Sequence, residues 1–287
     1  MQTPTDSPGL YCVIGNPVAH SRSPWIHARF AALTGQALVY ERLQAPLDGF
    51  AASLAQLAAR GGHGCNVTVP FKHEAARCAH SASERVQLAG AANTLVLGPD
   101  GRIHADNTDG LGLVDDIEAG AGVALAGRDV LLVGAGGAAA GVLGPLLERR
   151  PRRLVVSNRT AARAQALVQR HAALAQLQRV ELQAVDQQGL AGDFDVVINA
   201  TASSLEGGAV PVPERALRAG GLACDLMYGA AAEGFLTWAR ERGAHGRDGL
   251  GMLVRQAAAS FALWRGVAPP AAQVLDELRA AMAAGAA

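Results

Sequence analysis

Short apolar runs alternate with amphipathic stretches along most of the chain. YCVIG (11–15) is a continuous apolar run of the buried-strand type. Pro24 can occupy the first turn of a helix whose apolar positions are Ile26, Phe30 and Leu33. VYERL (39–43) reads as a strand, and Leu47, Phe50, Leu54 and Leu57 recur at helical spacing across 47–60. CNVTV (65–69) returns to strand. TLVL (94–97) and RIHA (102–105) flank GPDG, which predicts a hairpin with Asp100-Gly101 in its turn. The alternation of strands and helices predicts a largely parallel sheet covered by helices.

A second run of the same kind begins at Asp129. DVLLV is a strand, the segment after Gly137 a helix, LVVSN (154–158) a strand and 160–175 an amphipathic helix. Strands follow near 180–185, at FDVVIN (194–199) and at LACDL (222–226). A boundary therefore falls between Asn107 and Gly127, with GLGLVDDIEA as a linking helix and Asp115-Asp116 on its solvated face. The last forty or so residues read as two helices, 249–265 and 269–283, interrupted by Pro269-Pro270. The expected architecture is α/β in two domains. Residues 1–107, rejoined by helices from 248–287, form one, and 108–247 form the other.

Composition narrows the function classes. The chain has 287 residues, half of them hydrophobic, and 25 Lys+Arg against 25 Asp+Glu. That balance supports a packed core and offers no basic field for nucleic acid or an anionic membrane surface. Trp25, Trp238 and Trp264 are too few and too scattered for a base-stacking platform. Cys12, Cys65, Cys78 and Cys224 form no paired motif, which favours a reducing, cytoplasmic setting. The beginning of the chain lacks the layout of a secretion signal. Val130–Leu147 carries no charge, but six of its positions are glycine or proline, so a strand, a turn and a buried helix describe it better than a membrane span. The eight histidines show no metal-binding grammar and are expected at the surface or satisfied in the core. His20-Ser21 lacks the G-x-S-x-G elbow of a serine nucleophile.

The strongest single motif is Gly134-Ala135-Gly136-Gly137-Ala138-Ala139, which follows an apolar strand and opens a helix. This is the context of a Rossmann-type, doubly wound dinucleotide-binding domain. Glycines let the backbone approach a pyrophosphate, and free N–H groups at the helix start hold its charge. At the end of the next strand an NAD-binding protein usually carries Asp or Glu. Here stand Asn158, Arg159 and Thr160, with Arg163 one helical turn on. Two guanidinium groups and a hydroxyl suit a ribose 2′-phosphate, and their position at a helix start opposes the helix dipole unless an anion binds. The expected cofactor is NADP.

Polar clusters punctuate the strand ends of the first unit: Ser21-Arg22-Ser23, Asn66-Val67-Thr68, Lys72, Asn93-Thr94 and Asp106-Asn107-Thr108-Asp109. Neutral groups that both donate and accept suit a polyhydroxylated small molecule. In their order, IGNPVAHSRSP (14–24), NVTVPFK (66–72), AGAANT (89–94), DNTDG (106–110), GAGGA (134–138), SNRT (157–160), INAT (198–201), DLMY (225–228) and DGLGMLVRQA (248–257) resemble the motifs of the shikimate dehydrogenase family over nearly the whole chain.

The resemblance implies a reversible reduction of 3-dehydroshikimate to shikimate by NADPH, in aromatic amino-acid (chorismate) biosynthesis. It implies Ser21 and Ser23 at the substrate carboxylate, and Thr68, Asn93 and Asp109 around the ring hydroxyls, with Tyr228 and Gln256 contributing to the pocket. Lys72 matches the catalytic lysine and Asp109 its carboxylate partner, with Glu84 matched to the rim of a cleft between the domains. Gly134, Ala135, Gly136, Gly137 and Ala138 match the pyrophosphate turn, Asn158, Arg159, Thr160 and Arg163 the adenosine-phosphate clamp, and Leu226 and Gly249 residues near the nicotinamide. Ala140 departs from the pattern, standing where many relatives have a basic residue, and so does Ala202-Ser203-Ser204-Leu205. Two alternatives stay open at this point: a quinate/shikimate dehydrogenase using NAD, and a non-catalytic NADPH-binding module. The expected partner is the small-molecule substrate, with no nucleic acid, membrane or metal; a homodimer is compatible with the sequence.

Overall fold

A computed structural model describes residues 8–201 and 212–285. The chain divides into two compact units, one of Met1–Thr108 with Val254–Ala287, the other of Asp109–Leu253. These divisions lie one residue and six residues from the boundaries read in the sequence.

The first unit is built on β1 (Gly9–Gly15), α1 (Ser23–Thr34), β2 (Leu38–Gln44), α2 (Phe50–Ala59), β3 (Gly62–Val67), α3 (Lys72–Cys78), β4 (Ser81–Ala82), α4 (Glu84–Ala89), β5 (Thr94–Leu97) and β6 (Ile103–Asp106). Pro24 sits in the first turn of α1 and Gly35, at φ +66°, ends it. The strand order is β2-β1-β3-β5-β6-β4. As expected from the alternation, most pairings of this sheet are parallel, β4 with β6 included; the exceptions are the two made by β5. β1 pairs in parallel with β2 and β3, but β5 runs antiparallel to both β3 and β6. The predicted β5–β6 hairpin accounts for one of these two pairings, because a tight turn can only join antiparallel strands. The reversal places Thr94, the first residue of β5, opposite Asn66 and Asp106 at the carboxyl ends of β3 and β6.

Two apolar residues depart from their expected elements. Leu47 is 71% exposed, because the Pro46–Gly49 turn precedes α2. Val69 is 61% exposed, and β3 stops at Val67, just short of Pro70. The short α3, β4 and α4 leave no periodic signal long enough to read. The unit's core gathers Ile14, Phe50, Leu54, Leu57, Val67, Phe71 and Leu95.

The second unit opens with α5 (Asp109–Asp115), which continues into one π-type turn at Asp116–Gly120. β7 (Asp129–Val133), α6 (Gly137–Glu148), β8 (Arg153–Asn158), α7 (Ala161–Gln178), β9 (Glu181–Asp186), β10 (Phe194–Asn199), β11 (Leu217–Asp225), α8 (Glu233–Glu241) and β12 (His245–Arg247) follow. All pairings are parallel in the order β12-β11-β10-β7-β8-β9. Read from the other edge, this is the doubly wound 3-2-1-4-5-6 order of a dinucleotide-binding sheet. α5 packs on α6, and a Cβ on Gly110 would come within 2.5 Å of the Pro145 ring and 2.7 Å of the Gly141 carbonyl. The uncharged stretch 130–147 is thus β7, the glycine turn and α6; among the described residues no helix is long and apolar enough to cross a membrane.

Asp116 overturns the reading of Asp115-Asp116 as a solvated face. Asp115 is exposed, but Asp116 is 2% exposed and accepts two hydrogen bonds from Arg247. Two tail helices close the chain, α9 (Leu250–Arg265), whose first residues belong to the second unit, and α10 (Ala271–Ala283), which packs on α1.

Candidate active site

In the first unit the strand ends bring most of the predicted polar residues together. Asn66, Asn93, Thr94, Thr108 and Gln256 are all buried. The Asn93 amide donates to Thr108 Oγ1 at 3.0 Å and to Gln256 Oε1 at 3.2 Å. Its Oδ1 accepts from the Thr108 backbone N–H at 2.8 Å and from Thr94 Oγ1 at 2.9 Å. With both ends occupied, the amide is fixed in one orientation. Backbone bonds continue the array: Val67 N–H donates to the Asn93 carbonyl and Ala92 N–H to the Lys72 carbonyl, both at 2.8 Å. Lys72 therefore begins α3 one hydrogen bond away from the segment that carries Asn93.

Thr68 follows β3 and is half-buried. Its side chain occupies space beside Gly15 that a Cβ at that position would fill. Ser21 and Ser23 stand together at the start of α1, the Ser23 N–H donating to Ser21 Oγ at 3.2 Å. The Ser21 carbonyl is held by the Arg42 guanidinium at 2.7 and 3.1 Å. Glu84 is exposed at the start of α4.

Sequence reading missed three contributors. Ser260, fully buried on α9, is hydrogen-bonded to Thr94 Oγ1 at 2.8 Å and accepts from the Asn66 amide at 2.9 Å. Tyr40 donates from its hydroxyl to Asn66 Oδ1 at 2.7 Å. His27 stacks on the Tyr40 ring with centroids 4.2 Å apart. It departs from the expectation of surface or satisfied histidines, because neither His27 ring nitrogen makes a hydrogen bond among the described residues. Burial pushes its pKa down to about 3, with nearby Asn66 offsetting part of the shift. A helical face carrying Gln256 and Ser260 four residues apart was the available signal for Ser260. Tyr40 and His27 had none.

The second unit holds Asp109, buried at the start of α5, half-buried Tyr228 after β11, and the whole candidate cofactor site. Gly134 has φ +114°, and a Cβ there would lie 2.9 Å from the Ala200 carbonyl oxygen. Among the described residues, no atom beyond the chain neighbours of Gly136 lies within 4 Å of where a Cβ would stand at that position, which leaves space at the N-terminus of α6. A pyrophosphate fits such a place, facing the N–H groups of the first turn of α6 over the sheet's switch point. Ala135, Gly137 and Ala138 complete the turn, half-buried, and Ala140 is buried inside α6.

At the end of β8, Asn158 donates to the Thr160 carbonyl at 3.0 Å, and Thr160 stands at the N-cap position of α7 without a side-chain bond to it. Arg159 and Arg163 are exposed, and among the described residues neither has a carboxylate within ion-pair distance. Two uncommitted cations one turn apart fit a 2′-phosphate. Leu226 and Gly249 meet directly: Gly249 N–H donates to the Met227 carbonyl at 2.8 Å, and a Cβ on Gly249 would overlap the Leu226 carbonyl. The departing segment 202–205 lies outside the described residues. Among those described, no group of His, Cys, Asp or Glu is placed to hold a metal ion.

A doubly wound sheet with this turn, joined in one chain to a mixed sheet that gathers amides and hydroxyls, defines a two-unit α/β dinucleotide-binding protein. Residues 13–95 match the model of the shikimate dehydrogenase substrate binding domain, 118–206 that of shikimate / quinate 5-dehydrogenase, and 249–279 that of the shikimate 5'-dehydrogenase C-terminal domain. A shikimate dehydrogenase (NADP(+)) of Acidovorax sp. (strain JS42) is 71% identical over 98% of this chain and 100% of its own length. Among solved structures, an Ael1 enzyme from Pseudomonas putida superposes with TM-score 0.85 at 44% identity, covering 94% of this chain and 98% of that one. Shikimate 5-dehydrogenase from Thermus thermophilus, in complex with NADP(H) and shikimate, does so with TM-score 0.84 at 33% identity, over 95% and 99%. The chain belongs to the shikimate dehydrogenase family.

Proposed function

We propose that this chain catalyses the reversible, NADPH-dependent reduction of 3-dehydroshikimate to shikimate, a step of aromatic amino-acid (chorismate) biosynthesis. The observation that carries the reading is the 71% identity, over essentially the full length of both chains, to an enzyme of that name. The cross-braced amides and hydroxyls around Asn93 support it, because they form a rigid, neutral array of donors and acceptors, the type of group that suits ring hydroxyls.

In this reading Ser21 and Ser23 bind the substrate carboxylate. Thr68, Asn93 and Gln256 bind the hydroxyls, and Tyr228 contributes from the second unit. NADPH supplies the hydride when bound. Gly134, Ala135, Gly136, Gly137 and Ala138 receive its pyrophosphate. Asn158, Arg159, Thr160 and Arg163 hold the adenosine phosphate, and Leu226 and Gly249 border the nicotinamide. Lys72 holds a proton at Nζ for the carbonyl oxygen, where negative charge develops, and takes it back in the reverse direction. Asp109 orients that ammonium and shares the proton path. The protein works in the cytoplasm on a small-molecule substrate, without nucleic-acid or membrane partners, and light scattering tests whether it does so as a homodimer.

The test is a spectrophotometric assay of shikimate and quinate against NADP⁺ and NAD⁺. Oxidation of shikimate with NADP⁺ as the preferred acceptor is expected. Preference for NAD⁺ would favour the broader quinate/shikimate reading. Cofactor binding without turnover of either substrate would favour a non-catalytic module.

A further inference from the structure

Asn199 and Asp225 end β10 and β11, and both side chains are buried, at 0% and 1% exposure. Asn199 Nδ2 donates to Asp225 Oδ2 at 3.0 Å. Asn199 Oδ1 accepts from the Thr201 hydroxyl at 2.7 Å and from the Thr201 N–H at 3.2 Å. Asp225 Oδ1 accepts from the Met227 N–H at 2.8 Å, and the Leu226 N–H donates to the Asn199 carbonyl at 3.0 Å. The pair thus braces both loops that leave these strands. One loop carries Ala200, whose carbonyl packs against Gly134 of the glycine turn. The other carries Leu226 and Met227, against which Gly249 is seated.

In this strand order the pyrophosphate lies over the start of α6, and β8 and β9 take the adenosine half of the dinucleotide. The ends of β10, β11 and β12 take the other half. We propose that Asn199 and Asp225 are positioning residues that fix the nicotinamide end of the cofactor site relative to its pyrophosphate turn. The proposal rests on the reading of the second unit as the NADP-binding unit. Neither side chain touches the reacting atoms. They act by holding two backbone loops in one register, and a shift of about an ångström in a hydride-transfer geometry is enough to cost on the order of a hundredfold in rate.

Complementary exchange of the two side chains gives the test. Asp225→Asn sets two amide donors against each other, and Asn199→Asp sets two carboxylates against each other; in either case a buried polar contact is lost. The double variant Asn199→Asp/Asp225→Asn restores donor to acceptor. The carboxylate at position 199 then accepts from Thr201 and from the amide at 225, whose oxygen still accepts from Met227 N–H. Two ligands are titrated by calorimetry: NADP⁺, and 2′,5′-ADP, which occupies only the adenosine half.

For each single variant we expect 2′,5′-ADP affinity within about twofold of wild type, NADP⁺ affinity down about tenfold and kcat down about thirtyfold, with recovery of both to within about threefold in the double variant. Thr201→Val, which keeps the pair itself, should lower kcat severalfold and reports on the brace if the single variants do not fold. Unchanged kcat and NADP⁺ affinity in the folded variants would overturn the proposal. So would a double variant that regains the wild-type melting temperature but not turnover, or parallel losses of 2′,5′-ADP and NADP⁺ affinity. A wild-type protein that binds neither nucleotide would instead remove the cofactor reading itself.

Discussion

The carboxylate of Asp116 takes both arms of its ion pair from Arg247, with Oδ2 2.5 Å from Nε and Oδ1 2.6 Å from Nη2. The side chains of the acid and the arginine are 3% and 21% exposed. A fork-to-fork pair of this kind joins the π-type turn after α5 to the end of β12, 131 positions further along the chain. The carboxylate also fills the space beside Gly251, where a Cβ would overlap it. Hydrogen bonding to Asp116 raises the pKa of Arg247, so the cation stays charged while partly buried.

Removing Asp116 leaves a partly buried guanidinium with only the weaker field of Asp248 to offset it. Asp116→Ala should therefore destabilise the second unit by about 3–5 kcal/mol, more than an exposed pair such as Arg240–Glu233 could contribute. Denaturant unfolding followed by circular dichroism measures this. A loss within about 1 kcal/mol would mean that the pair is incidental to stability.

Lys72→Ala should lower turnover by several orders of magnitude while NADP⁺ affinity, held by the other unit, changes little. Steady-state kinetics together with NADP⁺ titration separate the two effects. Near-normal turnover would remove Lys72 from the proton path.

The sequence showed its architecture wherever one element carried its own signal. The apolar run at Asp129–Val133, the glycines after it and the next strand were enough to place a glycine turn between β7 and α6. Asn93 and Thr94 stood out as a polar pair at a strand start. What escaped depended on partners far along the chain. Ser260 acquires its role from Asn66, 194 positions earlier. Asp116 looks like half of a solvated Asp-Asp pair until Arg247 is brought to it. The antiparallel pairing of β5 with β3 was likewise invisible in its own residues, since the predicted hairpin fixes the direction of β5 only against β6. Leu47 misled because its spacing fits a helix that the preceding turn delays to Phe50.

Arg159 and Arg163 should decide between the two nicotinamide cofactors. Charge-assisted hydrogen bonds to a 2′-phosphate contribute about 1.5–3 kcal/mol each, equivalent to roughly ten- to a hundredfold in affinity. Arg159→Ala should lower kcat/KM for NADP⁺ by about that factor and leave kcat/KM for NAD⁺ within a few-fold. Equal losses with both cofactors would place the arginine elsewhere than at the 2′-phosphate.

His27 predicts how the first unit responds to acid. Its ring is enclosed by Tyr40, Phe30, Phe261 and Trp264, with centroids 4.2 to 6.2 Å away. Burial lowers its pKa from the ordinary 6.5 to about 3, so the folded protein keeps the ring neutral where the unfolded chain protonates it. Between those values the unfolded state binds more protons, and stability falls as the pH is lowered, at about 1.4 kcal/mol per pH unit from this group. Above about 6.5 the two states bind alike and the dependence from this group vanishes. His27→Phe keeps the ring stack and removes the titration. Urea midpoints measured from pH 7 to pH 4.5 should then decline less steeply in the variant than in wild type, with the curves converging in slope above pH 7. Parallel declines throughout that range would show that the imidazole does not titrate differently on folding.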